Sequence, residues 1–427
     1  MPNLAQLSIF TLSNMSTYLK NFSSISLILL LVLSSCTENS TLEFPCSPEN
    51  LVASQSANQL PNQSDRFIIE RANKSGFIDR LGREIIPPIY DTIREFYENR
   101  AAFKKDRKWG FIDINGNVVI LPQFEEVTNF VEGRAIFKKD SKRGLIDASG
   151  KIVIEPNIDD LYSVYEQRLA FMKNNKWGLM DLEGNIIVEP YFTQISVFSE
   201  GLAIYSIESQ PNSQELGLLD RNGRIINKLS NNLNLSFEPD IKSIRFNNGR
   251  LPVYKIDSDL LPLDKWFDAR VHSLWGYIDR TGHTTVPLKY DSVSDFSECL
   301  AQVKKTGIQG FIDPLGKIVI DTKPYDAVGF FSEGLAPVQI QEKWGYIDRT
   351  GKVVINFQFD GATGFSNGLA SVNINGKWGA IDRQGTIIIK PQFDNALNFI
   401  EPLSGVTIGK QSGYIDRTGK FVWIIKK

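Results

Sequence analysis

From about residue 65 onward, apolar and polar positions alternate in short bursts, and the bursts recur at a near-constant interval. Between Lys343 and Ile355 the chain reads Lys-Trp-Gly-Tyr-Ile-Asp-Arg-Thr-Gly-Lys-Val-Val-Ile. Strand alternation puts Trp344 and Tyr346 on one face and Ile347 on the other. The β-branched runs Val353-Val354-Ile355 and Ile387-Ile388-Ile389 follow a glycine and predict short strands buried on both faces. Between strands, Asp-x-x-Gly is turn chemistry. The Asp carboxylate suits the first position of a type I turn, where it accepts backbone N–H groups, and the Gly suits a position with φ above zero. Each unit is therefore expected to be a hairpin, with a third short strand near the Phe and Glu-Gly-Leu-Ala segment represented by Glu333 to Ala336. After the leader no stretch has the length and period of a convincing helix, Lys255 to Val271 coming nearest.

The interval itself sets the architecture. The first glycine of the motif falls at Gly76, Gly110, Gly144, Gly178, Gly217, Gly276, Gly310, Gly345, Gly379 and Gly413, a spacing of 34 or 35 except around Gly217. Three residues after each comes an Asp, from Asp79 to Asp416, and three further on a second Gly, from Gly82 to Gly419. Trp precedes the first glycine as Trp109, Trp177, Trp275, Trp344 and Trp378; Ser75, Arg143, Leu216, Gln309 and Ser412 replace it elsewhere. The pattern resembles the WG repeat of bacterial proteins over about residues 65 to 427. That resemblance implies a repeat architecture and often an envelope or secreted location, and it implies no particular enzymatic activity. Stacked units of short strands complete one another's cores. The expected fold is all-β, a tandem array of about ten 34-residue hairpin or meander repeats, either propeller-like or an open β-superhelix. Repeats 1–5 span 65–226 and repeats 6–10 span 272–427. The stretch 227–271 is an irregular insertion region, so two smaller rings or one curved array are both compatible with the spacing.

The N-terminal part has a different character. Lys20 is followed by an apolar run from Ile25 to Leu33 and then by Ser34, Ser35 and Cys36, the layout of a secretory signal peptide. The run is shorter than the roughly 20 residues of a membrane-spanning helix. Leu33-Ser34-Ser35-Cys36 resembles the bacterial lipobox. The resemblance implies cleavage before Cys36 and lipid attached to Cys36, with residues 1–35 as leader and 36–64, rich in Ser, Asn, Gln and Pro, as a flexible tether. A start at Met15 would give a leader of ordinary length. Such an anchor predicts an exported protein held on a membrane of the cell envelope, on its periplasmic or surface side.

Composition narrows the remaining chemistry. At 42% apolar the chain can bury a sizeable core, and a formal charge of -2 without a basic stripe gives nucleic acid nothing to bind. Cys46 and Cys299 lack metal-ligand spacing and are either a disulfide or two thiols. An Asp repeated at one turn position in every unit is explained by the turn, whereas glycan hydrolysis needs one special carboxylate pair. The alternating carboxylates of a calcium loop are missing. Each Trp is expected to pack between units rather than to form a sugar-stacking row. His272 and His283 join no Ser-His-Asp arrangement or metal cluster. No catalytic residue, metal or cofactor is expected. The insertions break the period, the last of them carrying Trp266 and Phe267, and loops on a rigid scaffold commonly carry binding; those two residues are the candidate binding loop. The expected function is non-enzymatic, multivalent binding of an envelope protein or polysaccharide, with an envelope glycan hydrolase and a purely structural spacer as the alternatives.

Overall fold

The computed structural model describes residues 65–210, 213–230, 233–235, 244–256, 273–399 and 402–425. Its strands form ten small antiparallel sheets in chain order, the blades of a ten-bladed β-propeller. Blade 8 shows the plan: a two-residue strand Ala327–Val328, then Leu335–Ile340, Lys343–Asp348 and Val353–Phe359, each hydrogen-bonded to the next. Seven blades show all four strands; blades 1, 6 and 10 show three among the described residues. Blade 6 opens with Arg250–Ile256, so the chain is already back in a blade within the irregular stretch, where Asn234 also bridges to Tyr254.

The Asp-x-x-Gly segments are the turns expected of them. In blade 8 the Gly351 amide donates to the Asp348 carbonyl at 2.9 Å, and the Asp348 amide donates to the Lys352 carbonyl at 2.9 Å. Asp348 Oδ1 accepts the amides of Thr350 and Lys352 at 2.9 and 3.1 Å. Gly351 has φ +83°. This is a type I turn closed by a left-handed residue, a geometry in which a Cβ is strained.

The first glycine of the motif has another task. It is not left-handed; instead, the fourth strand carries extra residues that arch over it. Trp344 pairs with Phe359 and Tyr346 with Ile355, so two steps along the third strand oppose four along the fourth. A Cβ on Gly345 would lie 2.5 Å from the Ile355 carbonyl oxygen, and the corresponding carbonyls of Ile120, Ile320 and Ile389 crowd Gly110, Gly310 and Gly379 at 2.3 to 2.4 Å. The bulge also re-aims the fourth strand. It was expected to be buried on both faces, but Val354, Ile387 and Ile388 are exposed and only Ile355 and Ile389 are buried. The fourth strand is the edge of each blade, so one face has no layer beyond it.

Blades are held by their faces. The buried apolar residues fall into ten clusters, one for each junction between neighbouring blades. Tyr346 packs forward with Phe365 of blade 9, and Ile347 packs backward with Phe311 of blade 7. The aromatic two residues after the Trp position meets a Phe of the next blade at near-constant ring separation: Phe77–Phe96 and Phe111–Phe130 at 4.8 Å, Tyr277–Phe296 at 4.9 Å, Tyr346–Phe365 at 5.0 Å. Such tilted pairs add about 0.5–1.5 kcal/mol each beyond burial.

The tenth junction closes the ring with the same parts. Phe67 of blade 1 meets Tyr414 of blade 10 at 5.6 Å, and Leu403, Val422 and Trp423 cluster with Phe67, Ile69 and Ile78. The Tyr414 hydroxyl donates to the Ile68 carbonyl at 2.9 Å, as Tyr346 donates to the Thr363 carbonyl at 2.8 Å. Gly82 lies under the fourth strand of blade 10 at Val422, as Gly351 lies against Ile320 of blade 7.

Two measurements test this account. If the ring is closed, Tyr414→Phe and Tyr346→Phe should lower stability by similar amounts, about 1 kcal/mol each; in an array open between blades 10 and 1, Tyr414→Phe would leave the urea midpoint unchanged. Gly345→Ala should cost about 2–3 kcal/mol through overpacking. Gly376→Ala, at φ +77° with open space around it, should cost about 1 kcal/mol of backbone strain. Equal costs would show that close approach is not what requires glycine in the Trp-Gly pair.

Candidate functional site

The motif residues that invite chemistry are occupied with architecture. Asp348 accepts not only two amides but also the Thr350 hydroxyl at 2.6 Å, and that hydroxyl hydrogen bond leads the effects holding its carboxyl below the usual range. Asn117 does the same for Asp113, and Ser149 for Asp147. A second set, Asp91, Asp159, Asp360 and Asp394, opens the blades after the Lys residues Lys74, Lys142, Lys343 and Lys377, whose ammonium groups bond these carboxylates and lower them likewise. A general acid needs a raised carboxyl pKa, so these groups are poorly suited to that role. Asp295 runs the other way: burial pushes its carboxyl up while Arg245 opposes the shift.

Trp109 and Trp177 are buried and Trp275, Trp344 and Trp378 half-buried, each in a junction cluster, as packing predicts. Tyr162 meets Trp177 and Tyr254 meets Trp275 at 4.7 Å between ring centres, and the Arg94 guanidinium lies 4.3 Å from the centre of the Trp109 ring. His283 is an exposed turn residue whose amide bonds Asp279 and whose Nδ1 lies 2.6 Å from the Thr281 hydroxyl. Among the described residues no group of three His, Cys, Asp or Glu is placed to hold a metal ion. Cys299 is buried and disulfide-bonded. Cys36, Cys46, Trp266, Phe267 and His272 lie outside the described residues.

Sequence reasoning did not anticipate a polar belt that runs from blade to blade. Where a Glu stands in the tight turn before the second strand, it adopts a left-handed φ of 49 to 53° and accepts an amide of the same turn in the next blade. Glu98 takes the amide of Gly133, Glu166 that of Gly201, Glu298 that of Gly334 and Glu333 that of Gly368, at 2.8 to 2.9 Å. Beside it, an arginine is shared between neighbours. Arg100, Arg134 and Arg250 open their second strands and donate to the carbonyls of Ala148, Leu182 and Pro314, the residues after the turn Asp of the next blade. Where Leu202 or Leu369 stands in the arginine's place, the next blade supplies the arginine from its own turn. Arg280 then donates to the Glu200 carbonyl, and Arg417 to that of Asn367. Leu300 with Arg349, Leu335 with Arg383 and Leu403 with Arg80 follow the same complementarity.

Two surface features remain outside this architecture. The first residue of the fourth strand is an exposed aliphatic in several blades: Val118, Ile152, Ile186, Ile225, Ile318 and Ile387, each between 40% and 51% exposed. The other is in blade 7, where Gln309 stands at the Trp position. There a hollow of about 170 Å³ opens over the sheet, lined by Ser292, Lys304, Gln309 and Thr322 among others.

Comparisons with known proteins agree with the repeat. No curated protein matches the chain. Among solved structures, a eukaryotic initiation factor is similar at 13% identity and a TM-score of 0.41, over 76% of this chain and 96% of its own. Hsv2 of Kluyveromyces lactis is similar at 10% and 0.31, over 67% and 95%. The uncharacterized protein lmo1340 of Listeria monocytogenes is similar at 12% and 0.32, over 61% and 92%. Likenesses at these scores carry no argument about this chain. The model of the WG containing repeat matches residues 76–109, 109–142, 144–177, 177–209, 275–307, 310–344, 344–378 and 378–410. With more than half of its length so matched, and each matched copy built around the same turn and junction, the chain belongs to the WG-containing-repeat family.

Proposed function

We propose that the protein is a non-enzymatic binding scaffold of a bacterial cell envelope, held on a membrane through lipid at Cys36, that engages a protein or polysaccharide partner at several blades at once. The observation that carries this reading is the girdle of exposed aliphatic residues. Val118, Ile152, Ile186, Ile225, Ile318 and Ile387 occupy one structural position, are not needed for the junctions, and recur around the ring. Isolated exposed aliphatics are ordinary on a protein surface, but one site repeated on a rigid frame gives a partner several equivalent contacts. Weak individual contacts then add through effective concentration, and a membrane tether raises that concentration further.

Two features support the location. The Leu33-Ser34-Ser35-Cys36 sequence follows an apolar run in the order that export and lipidation need. A disulfide at Cys299 fits an oxidising compartment. The architectural use of the repeated Asp, Glu and Arg side chains supports the non-enzymatic part of this reading.

Cys36→Ser should move the protein from the membrane fraction to the soluble fraction of cells; retention on the membrane would overturn the anchor. The triple substitution Val118→Ser, Ile186→Ser and Ile387→Ser should leave the far-UV β signal intact and weaken capture of the partner from envelope extract by at least about 10-fold, since each lost contact multiplies through avidity. Undiminished capture would remove the girdle from the binding surface.

A further inference from the structure

Blade 7 departs from its sisters twice at one spot. In blades 2, 4, 8 and 9 the Trp of the third strand pairs with a Phe of the fourth: Trp109 with Phe124, Trp177 with Phe192, Trp344 with Phe359, Trp378 with Phe393. In blade 7 the Trp is Gln309, and the fourth strand ends at Asp321. The Thr322 amide then donates to the Gln309 carbonyl at 2.9 Å, and the chain turns so that Tyr325 meets Phe357 of blade 8 at 6.2 Å. Neither ring is left to cover the sheet there.

Two other substitutions at the Trp position bring a replacement partner. Arg143 in blade 3 forms an ion pair with Asp160 at 2.7 Å, and Leu216 packs into a junction cluster. In blade 7 a hollow of about 170 Å³ stands in this place. A cavity of about 150 Å³ already accommodates a benzene-sized ring, so the hollow takes one six-membered ring. Register shows it to be the indole's place: Ser292 pairs with Lys304 and Lys304 with Gln309, as Gly361 pairs with Asn373 and Asn373 with Trp378 in blade 9.

The lining decides which kind of ring. Ser292, Gln309 and Thr322 present hydroxyls and a carboxamide to the hollow, while Val293 and Val303, one step out along the same strands, turn their side chains into the junction with blade 6. Among the described residues no hydrogen bond engages those three side chains, and Lys304 makes no ion pair. An aromatic ring would cover these polar groups and leave them unpaired, a loss that a ring without hydrogen-bonding substituents does not offset. A pyranose presents hydroxyls around its rim, and so offers partners to each of these polar groups. The Lys304 ammonium adds a charge-assisted partner for a carboxylate.

We propose that the blade 7 hollow binds a single pyranose unit of an acidic polysaccharide, its carboxylate on Lys304 and its hydroxyls on Gln309, Thr322 and Ser292. This rests on the polysaccharide arm of the binding reading above and supplies the sugar class.

Saturation-transfer NMR on the full chain tests it, with D-glucuronate, methyl glucoside and indole as probes. Glucuronate should show transfer from the wild-type protein with millimolar affinity. Gln309→Trp, which restores the motif's own residue and fills the hollow, should weaken that signal at least tenfold while the melting temperature stays at or above wild type. Lys304→Met should weaken glucuronate severalfold and leave methyl glucoside unchanged. If Gln309→Trp does not fold, the near-isosteric Thr322→Val provides the same reading, with weaker binding expected. The proposal is overturned if no sugar binds the wild type, if indole binds in place of the sugars, or if filling the hollow leaves sugar binding intact. Partner capture measured in parallel separates the two readings: Gln309→Trp that loses glucuronate but keeps capture leaves the girdle scaffold standing, and glucuronate binding without any capture leaves only the hollow.

Discussion

The whole ring depends on the fourth strand crossing its neighbour almost in contact. Over Gly345 the Ile355 carbonyl sits where any Cβ would be, at 2.5 Å. That approach puts two extra residues into the fourth strand and turns its exposed face outward, while its third residue, Ile355, still points into the junction with blade 9. The turn glycine of the next blade rests on the same residue, the Cβ position of Gly385 lying 3.1 Å from Ile355 Cγ2. One glycine thus permits a bulge, and the bulge positions the residue against which the neighbouring blade packs. Replacing either glycine disturbs two blades, Gly385 through its contact across the junction and Gly345 through the strand that carries Ile355 into it.

Closure follows from repetition of that junction. A three- or four-stranded blade cannot bury both faces alone, and the terminal blades of an open array would leave one face bare. Here blade 10 offers blade 1 parts that other blades offer their neighbours: an aromatic, a fourth-strand residue over a turn glycine, and a tyrosine hydroxyl for a backbone carbonyl. The shared arginine also fits, Leu403 facing the turn that carries Arg80. A single arginine per junction is a steric and electrostatic rule. Two guanidiniums would compete for the same turn carbonyls, and none would leave them without a charged donor. The junction between blades 4 and 5 carries both Arg168 and Arg221, and there Arg221 turns to Glu166 at 3.9 Å.

Much of this was legible in the chain before any coordinates, and the limits were physical. The turn at Asp348 to Gly351 and the opposite facing of Tyr346 and Ile347 depend on local geometry, which the sequence states directly. The edge character of Val353 to Phe359 does not, since a β-branched run looks the same whether its outer face is covered or bare. The task of Gly345 was hidden for a related reason: close approach is a property of two strands, and only the left-handed role leaves a signature in one. Ring closure does leave a signal in the sequence, the exchange of Arg and Leu at the second strand against the turn of the following repeat. For the candidate sites, the periodic Asp and Trp residues were correctly assigned to architecture. The insertion carrying Trp266 and Phe267 lies outside the described residues, whereas Gln309, noted only as a missing Trp, marks the hollow in blade 7.

Periodic proteins separate structure from recognition in a way that single-core domains do not. A residue present in every repeat is constrained by every junction, so its chemistry is committed: the turn carboxylates to amides, the Glu belt to the next blade, the Trp to its cluster. Specific recognition then has two places left. One is a position that the junctions leave free, where equal side chains such as Ile186 and Ile387 can add their effects. The other is a repeat that has given up a packing residue, as blade 7 has at Gln309, and tolerates the loss because nine other junctions hold the ring. The first suits breadth of contact and the second suits selectivity, and a scaffold that possesses both can hold a large partner while discriminating one chemical unit of it.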